Sequence, residues 1–203
     1  MKTNLQGLLS KHHLVWQDNA GNGKGSGVST GFPGLDRVLP TQGWPSGGLV
    51  EMVVPYWGLG ELRLLLPAMV RLNQDKRQIV WIAPPYLPYA PALARAGLDL
   101  QYVLVVDAQT GNVSWAMERL LATRACGMIL AWPAYLSDVE TRRLQLAAEA
   151  GAGLGVVLHT TEAKWRASSA ALRLQIHPAE EGVTIDIVKA RGGCHRPRVS
   201  VAL

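Results

Sequence analysis

Residues 48–62, GLVEMVVPYWGLGEL, decide the fold. Leu49 to Val54 is an apolar run broken only by Glu51, the right length for a strand and too short for a helix. Pro55 closes it. A turn with two glycines follows, Tyr56-Trp57-Gly58-Leu59-Gly60. Glu61 to Asn73 then places Leu62, Leu65, Leu66, Met69 and Val70 at helical spacing. Pro67 inside that run predicts a kink or a local break. Strand, glycine turn and helix in this order open an α/β domain. The same order is the geometry of a phosphate cradle, where backbone amides and a helix N-terminus face an anion.

Working outward, the pattern repeats. Gln78 to Ala83, Tyr102 to Asp107, Gly127 to Trp132 and Leu154 to His159 read as further strands. Helices are expected from Pro88 to Ala96, from a cap at Asn112 to about Arg124, and from a Ser137/Glu140 capping box to Ala150. Most of the strands are continuous apolar runs, the signature of a parallel sheet covered on both faces. Residues 171–177, 183–189 and 198–203 alternate instead and read as antiparallel additions with one solvated face. Upstream, Asp18 to Gly27 (DNAGNGKGSG) is a linker, preceded by a short, partly apolar arm. The expected organisation is an arm and linker over 1–27 and one core domain over 28–203.

Composition bounds the function. The 203 residues hold 20 Lys+Arg against 15 Asp+Glu, an excess too mild to define a nucleic-acid-binding protein. Two cysteines cannot staple the fold, and Cys126, beside an apolar run, reads as a packed small hydrophobe. No apolar run is long enough to span a membrane, and no secretory segment opens the chain, so a cytoplasmic location is expected. No cofactor and no metal are expected; Asp107 and Glu118 read as separate surface carboxylates. Seven tryptophans against one phenylalanine is the unusual feature of the composition.

The cradle lacks the chemistry of a magnesium–triphosphate site. That site needs a lysine on the β- and γ-phosphates and a Ser or Thr hydroxyl on the metal. The turn offers neither, and Glu61 places a carboxylate at the helix start. Residues 29–55, STGFPGLDRVLPTQGWPSGGLVEMVVP, resemble the opening of the RecA-family ATPase core. GWPSGGLVEMV, GLGELRLLLPAMVRL, WIAPPYLPYAPALARAGLDL, CGMILAW and RRLQLAAEAGAGLGVVLH together resemble the ImuA family, RecA-like accessory proteins of bacterial translesion DNA synthesis.

That resemblance implies a RecA-like P-loop NTPase core, a mainly parallel sheet with antiparallel C-terminal strands, and degenerate nucleotide motifs at Tyr56, Trp57, Gly58, Gly60, Glu61, Pro85, Trp132 and Thr160. The phosphate-loop lysine would fall at Gly60 and its hydroxyl at Glu61. The water-activating carboxylate would fall at Pro85, the Walker B aspartate at Trp132 and the nucleotide-sensing glutamine at Thr160. Hydrolysis is therefore not expected. The implied function is a non-catalytic accessory of SOS mutagenesis. Its partners would be an ImuB-like Y-family polymerase relative, RecA and an error-prone C-family polymerase, with weak DNA binding besides.

Lys164, Trp165 and Arg166, in the loop after the fifth strand, combine a stacking ring with two cations and are candidates for DNA or partner contact. Lys189, Arg191, Arg196 and Arg198 form a basic tail with the same candidate role. His159, at a strand end, reads as a capped, hydrogen-bonded histidine. Two alternatives stand beside the main reading. One is an SOS cell-division inhibitor resembling SulA, which the fold alone does not separate from the main reading. The other is a weak DNA-dependent ATPase.

Overall fold

A computed structural model describes residues 27–160, 168–192 and 197–203. They form one eight-stranded sheet in the order β3-β2-β4-β5-β1-β6-β7-β8. The strands are β1 (Gly48–Val54), β2 (Gln78–Ile82), β3 (Val103–Val106), β4 (Cys126–Ala131), β5 (Leu154–Thr160), β6 (Leu172–Ala179), β7 (Gly182–Ala190) and β8 (Arg198–Val201). Among the described residues five α-helices accompany them: α1 (Pro33–Val38), α2 (Glu61–Gln74), α3 (Ala90–Arg95), α4 (Val113–Leu121) and α5 (Asp138–Gly151).

All seven residues of β1 are buried. The strand pairs in parallel with β5 from Gly48↔Leu154 to Val54↔Thr160, and with β6 from Val50↔Leu172 to Val53↔Gln175. Alternation then sends its side chains to both faces. Val50, Met52 and Val54 meet Leu64, Leu65, Ala68 and Met69 of α2. Leu49 lies on the opposite face, in the cluster built by α4 and α5 with Met117, Leu120, Leu121 and Leu144. Each fully buried Leu or Met contributes about 1.5–3 kcal/mol, so both layers are needed. Glu51 on β1 is buried as well and pairs with Arg173 of β6 at 3.1 Å, which keeps the charge compensated.

Three expectations change in detail. β6 runs parallel to β1, so only β7 and β8 are antiparallel additions. The sheet is mixed. α2 continues through Pro67, whose ring packs where a Cβ on Gly31 would stand. Asn112 makes no capping bond, because a 3₁₀ turn over Thr110–Asn112 leads into α4 instead. The capping box at α5 forms as expected: the Glu140 amide donates to the Ser137 hydroxyl, and the Ser137 amide donates to the Glu140 carboxylate. Cys126 is buried, and burial pushes its thiol pKa up.

The arm and nearly all of the linker, residues 1–26, lie outside the described residues. Among the described residues no helix is long and apolar enough to cross a membrane.

Gly151 ends α5 against the end of α4. A Cβ there would stand 1.8 Å from the Leu121 carbonyl oxygen. Gly151→Ala is therefore expected to cost about 1–3 kcal/mol of stability, because backbone must move. Urea unfolding of the variant beside the parent chain measures it.

Candidate partner-binding edge

The parallel strands all end at one rim of the sheet. The loops after β1, β2, β3 and β4 gather there, tied by backbone bonds from Ala83 N–H to the Val106 oxygen and from Trp132 N–H to the Ile82 oxygen. In open α/β sheets this rim is the usual binding side. Trp57, Gly58, Gly60, Glu61, Pro85, Trp132 and Thr160 all lie on it or lead into it. The topology thus brings together the nucleotide-site positions expected from sequence.

What they build is not a nucleotide site. The Glu61 side chain is buried and folds back into its own turn. Its two carboxylate oxygens accept from Gly58 N–H at 3.0 Å and Gly60 N–H at 3.1 Å. The amides that would face a phosphate are filled by a carboxylate of the same chain. Gly60 has φ 120°, and a Cβ there would stand 2.4 Å from Cδ1 of Leu203. A side chain at that position would be strained and would have to displace the end of Leu203. Trp132 stacks on Trp81 with centroids 5.6 Å apart, so a hydrophobic pair occupies the Walker B place. Pro85 stands exposed in the loop after β2, and Thr160 ends β5 half-buried. The expected RecA-like P-loop NTPase core is overturned at its defining turn.

The rim is instead apolar and aromatic. Tyr86 is 74% exposed and Leu87 85%, and Tyr56, Tyr89 and Tyr135 are also exposed. Helix α3, just beyond, buries none of its residues. Residues 55–60, 83–94 and 132–137 contain no charged side chain. Tyrosines on uncharged loops are the composition of an interface centre. Tyr86, Leu87, Tyr89 and Tyr135 were not singled out from sequence. The signal is there in PPYLPY: prolines at 84, 85 and 88 deny this stretch a regular face on which to bury its rings.

The basic candidates lie elsewhere and are already engaged. Lys189 is half-buried, donates to the Ser168 carbonyl oxygen, and has its pKa pushed down by burial. Arg191 pairs with Glu149 at 2.5 Å. Arg198 makes a two-pronged contact with Asp186 at 2.6 and 2.8 Å. Arg196, and Lys164, Trp165 and Arg166, fall outside the described residues. His159 is held neutral: burial first, then the Arg173 charge, lowers its pKa to about 4. No group of three or more metal-ligating side chains forms among the described residues.

The model of the cell division inhibitor SulA family matches residues 57–155. Among curated relatives, the cell division inhibitor SulA of Edwardsiella piscicida is 32% identical over 123 residues, covering 60% of this chain and 71% of the relative. That of Photorhabdus laumondii is 30% identical over 119 residues, covering 57% and 67%. Among solved structures, SulA from Pseudomonas aeruginosa aligns at 23% identity with a TM-score of 0.46, over 57% of this chain and 99% of that one. The family and relative matches overturn the expected ImuA assignment. The translesion role falls with it, as do the ImuB-like, RecA and C-family polymerase partners.

Glu61→Ala frees two turn amides and removes two charge-assisted bonds. It is expected to cost about 2–4 kcal/mol in chemical unfolding. His159 carries the pH dependence. The unfolded ring takes its proton near pH 6.5, while the folded one refuses it until about 4. Stability is therefore complete above about pH 6.5 and falls as pH drops toward 4. His159→Gln is expected to flatten that slope, read from urea midpoints at several pH values between 4 and 7.

Proposed function

The chain belongs to the family of the cell division inhibitor SulA, and from that premise we propose that it halts division by gripping a division protein with its apolar rim. The target is FtsZ, on which this family acts. The setting is the SOS response, in which division waits for DNA repair. The work is stoichiometric binding in the cytoplasm, without turnover.

The observation that carries this reading is the exposed aromatic and apolar set Tyr56, Tyr86, Leu87, Tyr89 and Tyr135, on rim loops (55–60, 83–94 and 132–137) without a charged side chain. All of these except Tyr56 fall within the stretch that the family model matches. Large, exposed, apolar groups on loops held by a rigid sheet suit protein recognition. A non-catalytic action fits the turn that Glu61 closes on itself.

Expression of the chain in a dividing bacterium is expected to yield filaments, and the pure chain to suppress FtsZ polymerisation at near-equal concentrations. Tyr86→Ser combined with Leu87→Ser touches no buried side chain. It is expected to weaken FtsZ capture by about tenfold or more and to restore septation while the thermal melt stays unchanged. Inhibition that survives this double change, or a parent chain with no effect on FtsZ, refutes the reading.

A further inference from the structure

The end of the sheet opposite the aromatic rim has an opening of its own. A cavity of about 180 Å³ lies where β1 and β6 begin and β7 ends. Leu39, Pro40, Pro45, Ala171, Leu172 and Ala190 give it apolar walls. Gln145 of α5 also lines it and is buried, but its polar atoms are satisfied. The side-chain oxygen accepts from Leu49 N–H at 3.1 Å and from Ala171 N–H at 2.9 Å, and the side-chain nitrogen donates to Glu149. Arg191, the charged group of the lining, is paired with Glu149. A buried water or ion needs several polar partners, so these walls select an apolar occupant. The volume is well below the ~300–1,000 Å³ of a site for a whole small molecule. It suits one aromatic ring, which an apolar hole of about 150 Å³ accepts. Of the described residues that line the cavity, only Gln145 falls within the stretch matched by the family model.

The chain itself leads to this place. Gly27, the first described residue, donates its N–H to the Thr41 oxygen at 2.7 Å, and Val28 bridges to Trp44. Thr41 is part of the cavity lining. Whatever precedes Gly27 therefore enters the molecule beside the opening. Leu14, Val15 and Trp16 are the last apolar group before the linker. The eleven residue steps from Trp16 to Gly27 reach about 36–40 Å at full extension. For a glycine-rich chain the average span is about 17–20 Å. A group tethered at that range meets its site at an effective concentration of about millimolar.

We propose that this cavity is the seat of Trp16 of the same chain. The indole fills the apolar volume, and the hydroxyl oxygens of Thr41 and Ser46, both in the lining, are acceptors for its N–H. Leu14 would leave part of the volume empty, and voids are costly. Seated there, the arm clasps the seam where β6 joins β1. The seam lies at the far end of the sheet from the aromatic rim, so the clasp stands or falls separately from FtsZ binding.

The test is the thermal melt of the full chain with and without free indole. Trp16→Ala is expected to lower the melting temperature by about 3–8 °C. Indole at about millimolar concentration is expected to restore much of that loss and to leave the parent chain unmoved, because only the variant has an empty cavity for the ring. A cross-link fixes the place. Trp16→Cys with Ser46→Cys, in a Cys194→Ser background, is expected to form a disulfide within one chain under mild oxidation, at a rate independent of protein concentration. Trp16→Cys with Ser200→Cys, an exposed position on β8, is the slower control. Four results overturn the proposal: a parent-like melt for Trp16→Ala, an indole effect equal in parent and variant, a disulfide no faster than the control, or one formed between copies.

Discussion

A strand with no solvent-facing residue dictates what surrounds it. β1 is buried along its whole length, and its side chains alternate between two faces, so a helix layer must stand on each. Its two edges must also be paired, and β5 and β6 supply the bonds. Even its one charge is a constraint: Glu51 can stay in the interior because Arg173 stands beside it on β6. The placing of α2 on one side, of α4 and α5 on the other, and of the strand order around β1 follow from that single requirement.

The same requirement fixes where the chain can meet other molecules. With both faces covered, the rim at the strand ends is left for binding. There the chain departs from a nucleotide-binding design in a chemically specific way. A carboxylate takes the place of phosphate, a leucine occupies the space a lysine would need, and paired indoles stand where an aspartate would hold magnesium. Each change substitutes an internal contact for a ligand contact. The rim gains internal contacts and presents exposed rings.

Much of the fold was legible in the sequence because it rests on local patterns. Continuous apolar runs gave β1, β2, β4 and β5, and the Ser137/Glu140 spacing gave the start of α5. The parallel placing of β6 was not legible. Its alternating pattern reports one half-covered face and is silent on direction. The loss of nucleotide chemistry was readable from Gly60, Glu61 and Trp132, yet the use made of Glu61 required three dimensions. A carboxylate expected to repel a phosphate turns out to replace it. The family is hidden in the sequence for a related reason. GELRLLLP and APPYLPYAPALARAGLD, which carried the resemblance to ImuA, lie within the stretch that the SulA model matches. They mark the turn, the helix and the proline loop, and so report architecture more than biological role. Tyr86, Tyr89 and Tyr135 escape a helix-or-strand reading, which has no place for rings on loops between prolines.

The position of β1 also governs how the chain comes into being. β1 emerges early in synthesis, yet its neighbours β5 and β6 are among the last elements made. Until they are made, this buried strand has both edges bare. Sheets closed by such distant partners assemble slowly, and their intermediates are prone to clump. The central strand of this sheet is therefore made early and completed late: its two edges close only when the last third of the sequence has been made.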